Sequence, residues 1–170
     1  MKRILLLACV LGVAQNACAR PADKLFKGAW FDVRYPAGWT AKPGQKSETS
    51  DTGVDSARFV SPDNRAEFYV FSPMWNGTPQ NIYNLKNEVV VARRVQTTPE
   101  DVKRGISGMR VIWTTVRAKD NAYLRSILDR ESLSHNTRNV FAFRYRNDAT
   151  RRKYAPAFER FKKSLRQYLD

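Results

Sequence analysis

Apolar side chains recur every second residue through most of this 170-residue chain and switch to a helical spacing only near its end. Alternation at a period of two places one side of an extended segment against a core, whereas a three-to-four spacing does so for a helix. The chain is therefore restricted to a sheet assembled first and closed by a helix. Residues 29–35 set Phe31, Val33 and Tyr35 toward the core against Trp30, Asp32 and Arg34, and Pro36-Ala37-Gly38-Trp39 ends the strand in a turn. Residues 42–53, polar and without apolar period, read as a loop. Residues 56–60 and 66–71 flank Ser61-Pro62-Asp63-Asn64-Arg65 and predict a hairpin. Val89-Val90-Val91 and residues 93–97 favour a strand through their β-branched content.

Residues 108–118 set Met109, Val111 and Trp113 on one face and Ile112 and Val116 on the other, as in a strand covered on both sides for part of its length. With residues 123–130 and 139–146, joined through Ser134-His135-Asn136, it makes a meander. Residues 80–87, carrying Ile82, Tyr83 and Leu85, leave room for one further helix. The closing helix places Tyr154, Ala157, Phe158, Phe161, Leu165, Tyr168 and Leu169 on one face, with Asp148 as its N-cap. The expected fold class is α+β, a mostly antiparallel sheet packed by a long C-terminal helix.

Met1-Lys2-Arg3 followed by an apolar run to Ala14 has the shape of a secretory leader, too short to span a bilayer. Ala17-Cys18-Ala19 supplies a small-x-small cleavage pattern, so residues 1–19 are expected to be removed and 20–170 to form a single domain. Gln15 stands where a lipoprotein signal needs an apolar residue, which disfavours a lipid anchor on Cys18. Cys9 and Cys18 depart with the leader, so no disulfide is available and packing alone must hold the fold. The expected location is the periplasm or the medium, in soluble form.

Once Lys2 and Arg3 are removed, 28 basic residues face 16 acidic ones, a net charge of +12. Such an excess attracts polyanions or simply keeps an exported protein in solution. The basic residues gather late in the chain: Arg144 and Arg146 on one strand face, then Arg151, Arg152 and Lys153, then Arg160, Lys162, Lys163 and Arg166 along the helix. They form a candidate contact for a partner or for an anionic membrane surface or glycan. Phe141, Phe143 and Tyr145 lie on the opposite strand face and read as core, and export argues against nucleic acid. Trp75, set among turn residues, is a candidate exposed aromatic contact; Trp39 reads as a core plug.

Site chemistry is sparse. With no cysteine and only His135 left after cleavage, no zinc or other metal site and no cofactor is expected. A hydrolase would have to use His135, which sits in a turn without a nucleophile-elbow pattern, or the pair Asp129 and Glu131 on one strand face. Arg125 precedes that pair at the same alternation, which favours a salt-bridged ladder over a catalytic dyad. No catalytic residue is assigned.

The run Phe31-Asp32-Val33-Arg34-Tyr35-Pro36-Ala37-Gly38-Trp39 resembles the opening of PsbP-like and DcrB-like proteins, and the closing Phe161-Lys162-Lys163-Ser164-Leu165 is similar to their last helix. The resemblance implies an α/β/α sandwich used for protein association, as in photosystem accessory subunits, envelope proteins and chaperones of secreted toxins. It carries no catalytic residues. The expectation is a non-catalytic exported module that binds an envelope or secreted protein, with a polyanion binder as the alternative.

Overall fold

The computed structural model describes residues 22–80, 82–84, 86–97, 108–132 and 134–168. The leader, Leu85 and Leu169 lie outside the described residues.

Among the described residues, ten strands and one helix follow in chain order: β1 (Lys24–Lys27), β2 (Phe31–Tyr35), β3 (Thr40–Pro43), β4 (Ser56–Val60), β5 (Ala66–Phe71), β6 (Glu88–Thr97), β7 (Met109–Ala118), β8 (Leu124–Ser132), β9 (Thr137–Tyr145), α1 (Asp148–Lys163) and β10 (Arg166–Gln167). Seven strands form an antiparallel sheet in the order β3-β4-β5-β9-β8-β7-β6, and β1-β2-β10 form a small second sheet. The hairpin β4-β5 and the meander β7-β8-β9 stand where the alternation predicts them. At the turn after β2 the Trp39 N–H donates to the Pro36 carbonyl at 3.2 Å and Gly38 sits at φ 81°, a left-handed position that a side chain rarely tolerates.

One face of the large sheet, the inner face, is packed by α1 and β2. Phe31, Val33, Phe59, Phe68, Phe141, Phe143, Phe158 and Phe161 meet there in a buried aromatic core. Phe68 is its hub, with ring centroids 5.0 Å from Phe158, 5.3 Å from Phe161 and 4.4 Å from Trp39. Such aromatic contacts each add roughly 0.5–1.5 kcal/mol beyond simple burial. Trp39 is thus the core plug its position suggested, with Tyr154 edge-on to it at 5.2 Å.

Among the described residues, the outer face carries turns where a further helix over 80–87 was expected. Residues 80–87 form turns and bends among their described positions, and Ile82 packs on Tyr69, Phe71, Val116, Ile127, Val140 and Ala142. The polar groups of this segment explain the departure. Asn84 donates its backbone N–H to Glu88 Oε2 at 2.8 Å, Asn87 donates to the Asn84 carbonyl at 2.8 Å, and Arg125 captures the Ile82 carbonyl at 2.6 Å. Side chains and turns thereby take the backbone groups a helix would have used.

Two further expectations are corrected at the last helix. Asn147, not Asp148, is the N-cap; its Oδ1 accepts from the Thr150 N–H at 3.0 Å, and Asp148 occupies the first helical position. The helix ends at Lys163, and the chain then turns extended, pairing Arg166 with Asp32 and Gln167 with Phe31. Ser164 makes the change possible, donating its hydroxyl to the Phe161 carbonyl and accepting from the Arg34 N–H at 2.8 Å. Leu165 and Tyr168 therefore lie beyond the helix. The expected loop at 42–53 also starts later, because Lys42 and Pro43 belong to β3.

Candidate functional site

The polar chemistry of the chain converges on the outer face, where alternation in β5, β7, β8 and β9 sends every second side chain away from the aromatic core. Asp129 faces Arg138 across β8-β9 in a two-pronged contact of 2.9 and 2.6 Å, and Arg138 also donates to the Gly77 carbonyl at 2.8 Å. The Asp129 contact raises the Arg138 guanidinium further above its usual value. Glu131 accepts from Asn76 at 2.7 Å and pairs with Arg110. Burial works to raise the Glu131 carboxyl, but the hydrogen bonds from Asn76 and Arg110 and the charges of Arg110 and Arg138 outweigh it, so the carboxyl ionises below its ordinary range. The two acids of the candidate dyad are held by separate guanidiniums, and both contacts tie the 72–87 segment to the sheet. Arg125, expected beside them, instead lies 3.2 Å from Glu88.

Glu88 is a fully buried carboxylate. It accepts from the Tyr123 hydroxyl at 2.6 Å and from the Asn84 N–H at 2.8 Å, with Arg125 closing the set. Burial, and then the bond to Glu88, push the Tyr123 phenol up. His135 is exposed in its turn, and its Nδ1 lies 3.1 Å from Ser132 Oγ and 3.0 Å from Ser134 Oγ. Both hydroxyls address the same nitrogen, a local turn arrangement. Among the described residues no group of three or more histidines, cysteines or acids is gathered as metal ligands would be.

The basic stripe divides in two. Arg144 is an outer-face residue, 3.7 Å from Glu67 and stacked over Tyr123 at 5.2 Å. Arg146 follows the end of β9 and is exposed. The remaining members ride on α1 and β10, on the inner side. Arg151 and Arg152 both meet Asp148, Lys153 meets Asp63, Arg160 meets Asp23 and Lys162 meets Glu159. Lys163 and Arg166 enter no ion pair among the described residues. Exposed pairs of this kind are weak and leave the charges available to solvent.

The apolar surface lies elsewhere. Trp75 is 39% exposed beside buried Met74, as its place among turn residues suggested. A larger feature went unread in the sequence. Along one inner-face row, exposure climbs from Ala57 and Val70 at 0% through Phe141 at 1% and Leu128 at 7% to Trp113 at 39%. The helix covers only one half of the sheet, so β7 is covered on both sides for part of its length, with Val111 against the aromatic core and Val116 in the outer cluster, while Trp113 and Met109 are exposed and Arg94 lies over the Trp113 ring at 5.4 Å. A cleft of about 290 Å³ between Trp113, Leu128, Phe143 and the helix residues Phe158 and Lys162 marks the boundary. Beyond it β6 is an edge strand of ten residues, with Val89, Val90, Val91 and Val95 all exposed and a bulge between Val90 and Ala92. The signal was present: three consecutive valines cannot all face one core in an extended strand.

No family model matches the chain, and no curated protein matches it in sequence. Among solved structures it is similar to cyanobacterial PsbP (CyanoP) from Synechocystis sp. PCC 6803, a solution structure, with a TM-score of 0.50 over 93% of this chain and 99% of that one, at 9% identity. At that identity the likeness shows the fold: an α+β, PsbP-like arrangement.

Proposed function

We propose that this protein is a non-catalytic exported interaction module, an accessory or chaperone-type protein of the PsbP-like and DcrB-like kind, which binds another envelope or secreted protein. The observation that carries this reading is the β6 edge. A ten-residue strand with one neighbour among the described residues and four exposed valines presents a free backbone edge beside apolar side chains, the features by which an added strand docks. The adjacent Trp113 cleft offers an aromatic anchor point. Export to the periplasm or the medium is part of the proposal and rests on the leader sequence.

Binding of that kind relies on apolar burial and backbone pairing, which salt screens little. The test is an affinity capture from the organism's envelope extract, washed at low and high salt, with the wild type beside a Val90→Lys, Val95→Lys variant. One stoichiometric protein should survive high salt on the wild type and be lost from the variant. Equal retention by both would sink the edge as the docking site. A second reading, contact with anionic lipid or glycan, draws on Lys163 and Arg166, which enter no ion pair among the described residues, and on exposed Arg152. It is favoured instead if the captured material is lipid or glycan that salt releases.

A further inference from the structure

The carboxylates of β6, β7 and β8 all fall on the outer face, where Glu88, Asp129 and Glu131 are held by Arg125, Arg138 and Arg110. Among the described residues the inner face of the same strands has none. Register places three guanidiniums there instead: Arg94 opposite Trp113, Arg130 opposite Val111 and Arg117 opposite Val89. All three are exposed, and none enters an ion pair among the described residues. Trp113 and Met109, 39% and 42% exposed, share the face with them. The acid that borders it, Glu159 of α1, lines the cleft beside Trp113 and is already paired with Lys162 at 2.9 Å.

The shape of this face is as particular as its charge. Because α1 packs on β5 and β9, the cleft at Trp113 is the foot of a step, with the helix as its wall and β8, β7 and β6 as its floor. At ordinary strand spacing that floor is about 10 Å wide, close to the width of one helix. Such a step admits a rod laid beside α1 and meets a flat bilayer poorly. Arg117 and the partner of Arg130, Val111, stand about 20 Å apart along β7, a length that roughly thirteen helical residues span.

We propose that the inner face of β6, β7 and β8 docks an acidic amphipathic helix of a partner protein, with its apolar stripe on Trp113 and Met109 and its carboxylates on Arg94, Arg117 and Arg130. Apolar burial holds the helix, and the guanidiniums select the charge of the partner and speed its approach. The proposal rests on the reading of the chain as an interaction module but uses another surface than the β6 edge, since Val90 and Val95 pair with Val116 and Ile112 on the outer face.

The probe is a labelled peptide of about 18 residues, leucine and glutamate at helical spacing, followed by fluorescence anisotropy beside the same peptide with glutamine for glutamate. The acidic peptide should bind saturably and the glutamine peptide roughly tenfold or more weakly. Arg94→Glu with Arg130→Glu should weaken the acidic peptide by roughly tenfold or more. Arg34→Glu with Lys46→Glu, an equal change of net charge on exposed side chains elsewhere, should leave its affinity within about twofold of the wild type. Trp113→Ala, which alters no charge, should weaken it several-fold. These side chains are exposed, so every variant should melt close to the wild type. The Val90→Lys, Val95→Lys variant should bind the peptide at least as well as the wild type; loss of the captured partner with the peptide retained fails the edge alone, and the reverse fails this proposal alone. The proposal is overturned if the acidic peptide does not saturate, if the glutamine peptide binds equally, if both charge-reversed variants weaken it alike, or if Trp113→Ala leaves it unchanged. Sedimentation of the protein with phosphatidylglycerol vesicles, released by Arg94→Glu with Arg130→Glu while the peptide does not bind, would overturn it in favour of a membrane surface.

Discussion

Single residues in this fold differ sharply in what they hold. Glu88 opens β6 with its carboxylate fully buried among Arg125, the Tyr123 hydroxyl and the Asn84 N–H. Removing one partner of such a set strands a buried charge, which costs about 3–5 kcal/mol. Glu88→Ala should therefore lower the midpoint of urea unfolding by a large margin, and an unchanged midpoint would disprove the assignment. Asp63 presents the opposite case. In the β4-β5 turn its carboxyl accepts from the Ser61 hydroxyl at 2.6 Å and the Arg65 N–H at 3.1 Å, and the Tyr154 hydroxyl and Lys153 reach it from α1. These groups, Ser61 foremost, bring it from 3.8 to about 2 despite partial burial. The folded state then binds fewer protons than the unfolded chain between those values, so stability from Asp63 is complete above about pH 4 and lost as pH falls toward 2. Asp63→Asn should flatten the acid limb of the stability curve across that window, as followed by circular dichroism.

Among the elements, the ones with a regular period were readable and the ones governed by a few hydrogen bonds were not. Phe31-Val33-Tyr35, the hairpin around Asp63 and the meander to Tyr145 all follow from alternation. The helix was legible through Tyr154, Phe158 and Phe161, but its ends were not, because Leu165 and Tyr168 extend the helical spacing past a stop set by Ser164 and a strand partner in β2. Asn147 and Asp148 are both good caps, and sequence does not distinguish neighbours; the 3.0 Å bond to Thr150 does. Asn147→Ala should accordingly cost about 1 kcal/mol in thermal unfolding. Asp148→Ala should cost less, and the reverse order would restore Asp148 as the cap. Ile82 shows a related failure: it is buried as an amphipathic helix would bury it, yet Asn84, Asn87 and Arg125 organise its segment as turns.

At the level of the whole molecule, the α+β class and the helix-covered sheet were legible, since the change of period alone dictates them. Which half of the sheet the helix reaches was not, because coverage depends on strand order, and the sequence does not show that β5 pairs with β9. That order leaves Trp113 and the β6 valines exposed and parts Arg144 from the helical basic residues it seemed to join. It also places the Val90→Lys, Val95→Lys pair on open surface, so those substitutions should leave the melting temperature close to that of the wild type while removing the captured partner.

The β5-β9 seam has one more consequence. It joins Ala66 to Tyr145 and Phe71 to Val140, and the core on its inner side is completed by Phe158 and Phe161, near the end of the chain. Early strands therefore wait for late ones, and the contacts that lock the fold span much of its length, a pattern associated with slow folding. A chain of this design cannot close its aromatic core until its last helix has been made, so the early strands are held open until the end of synthesis.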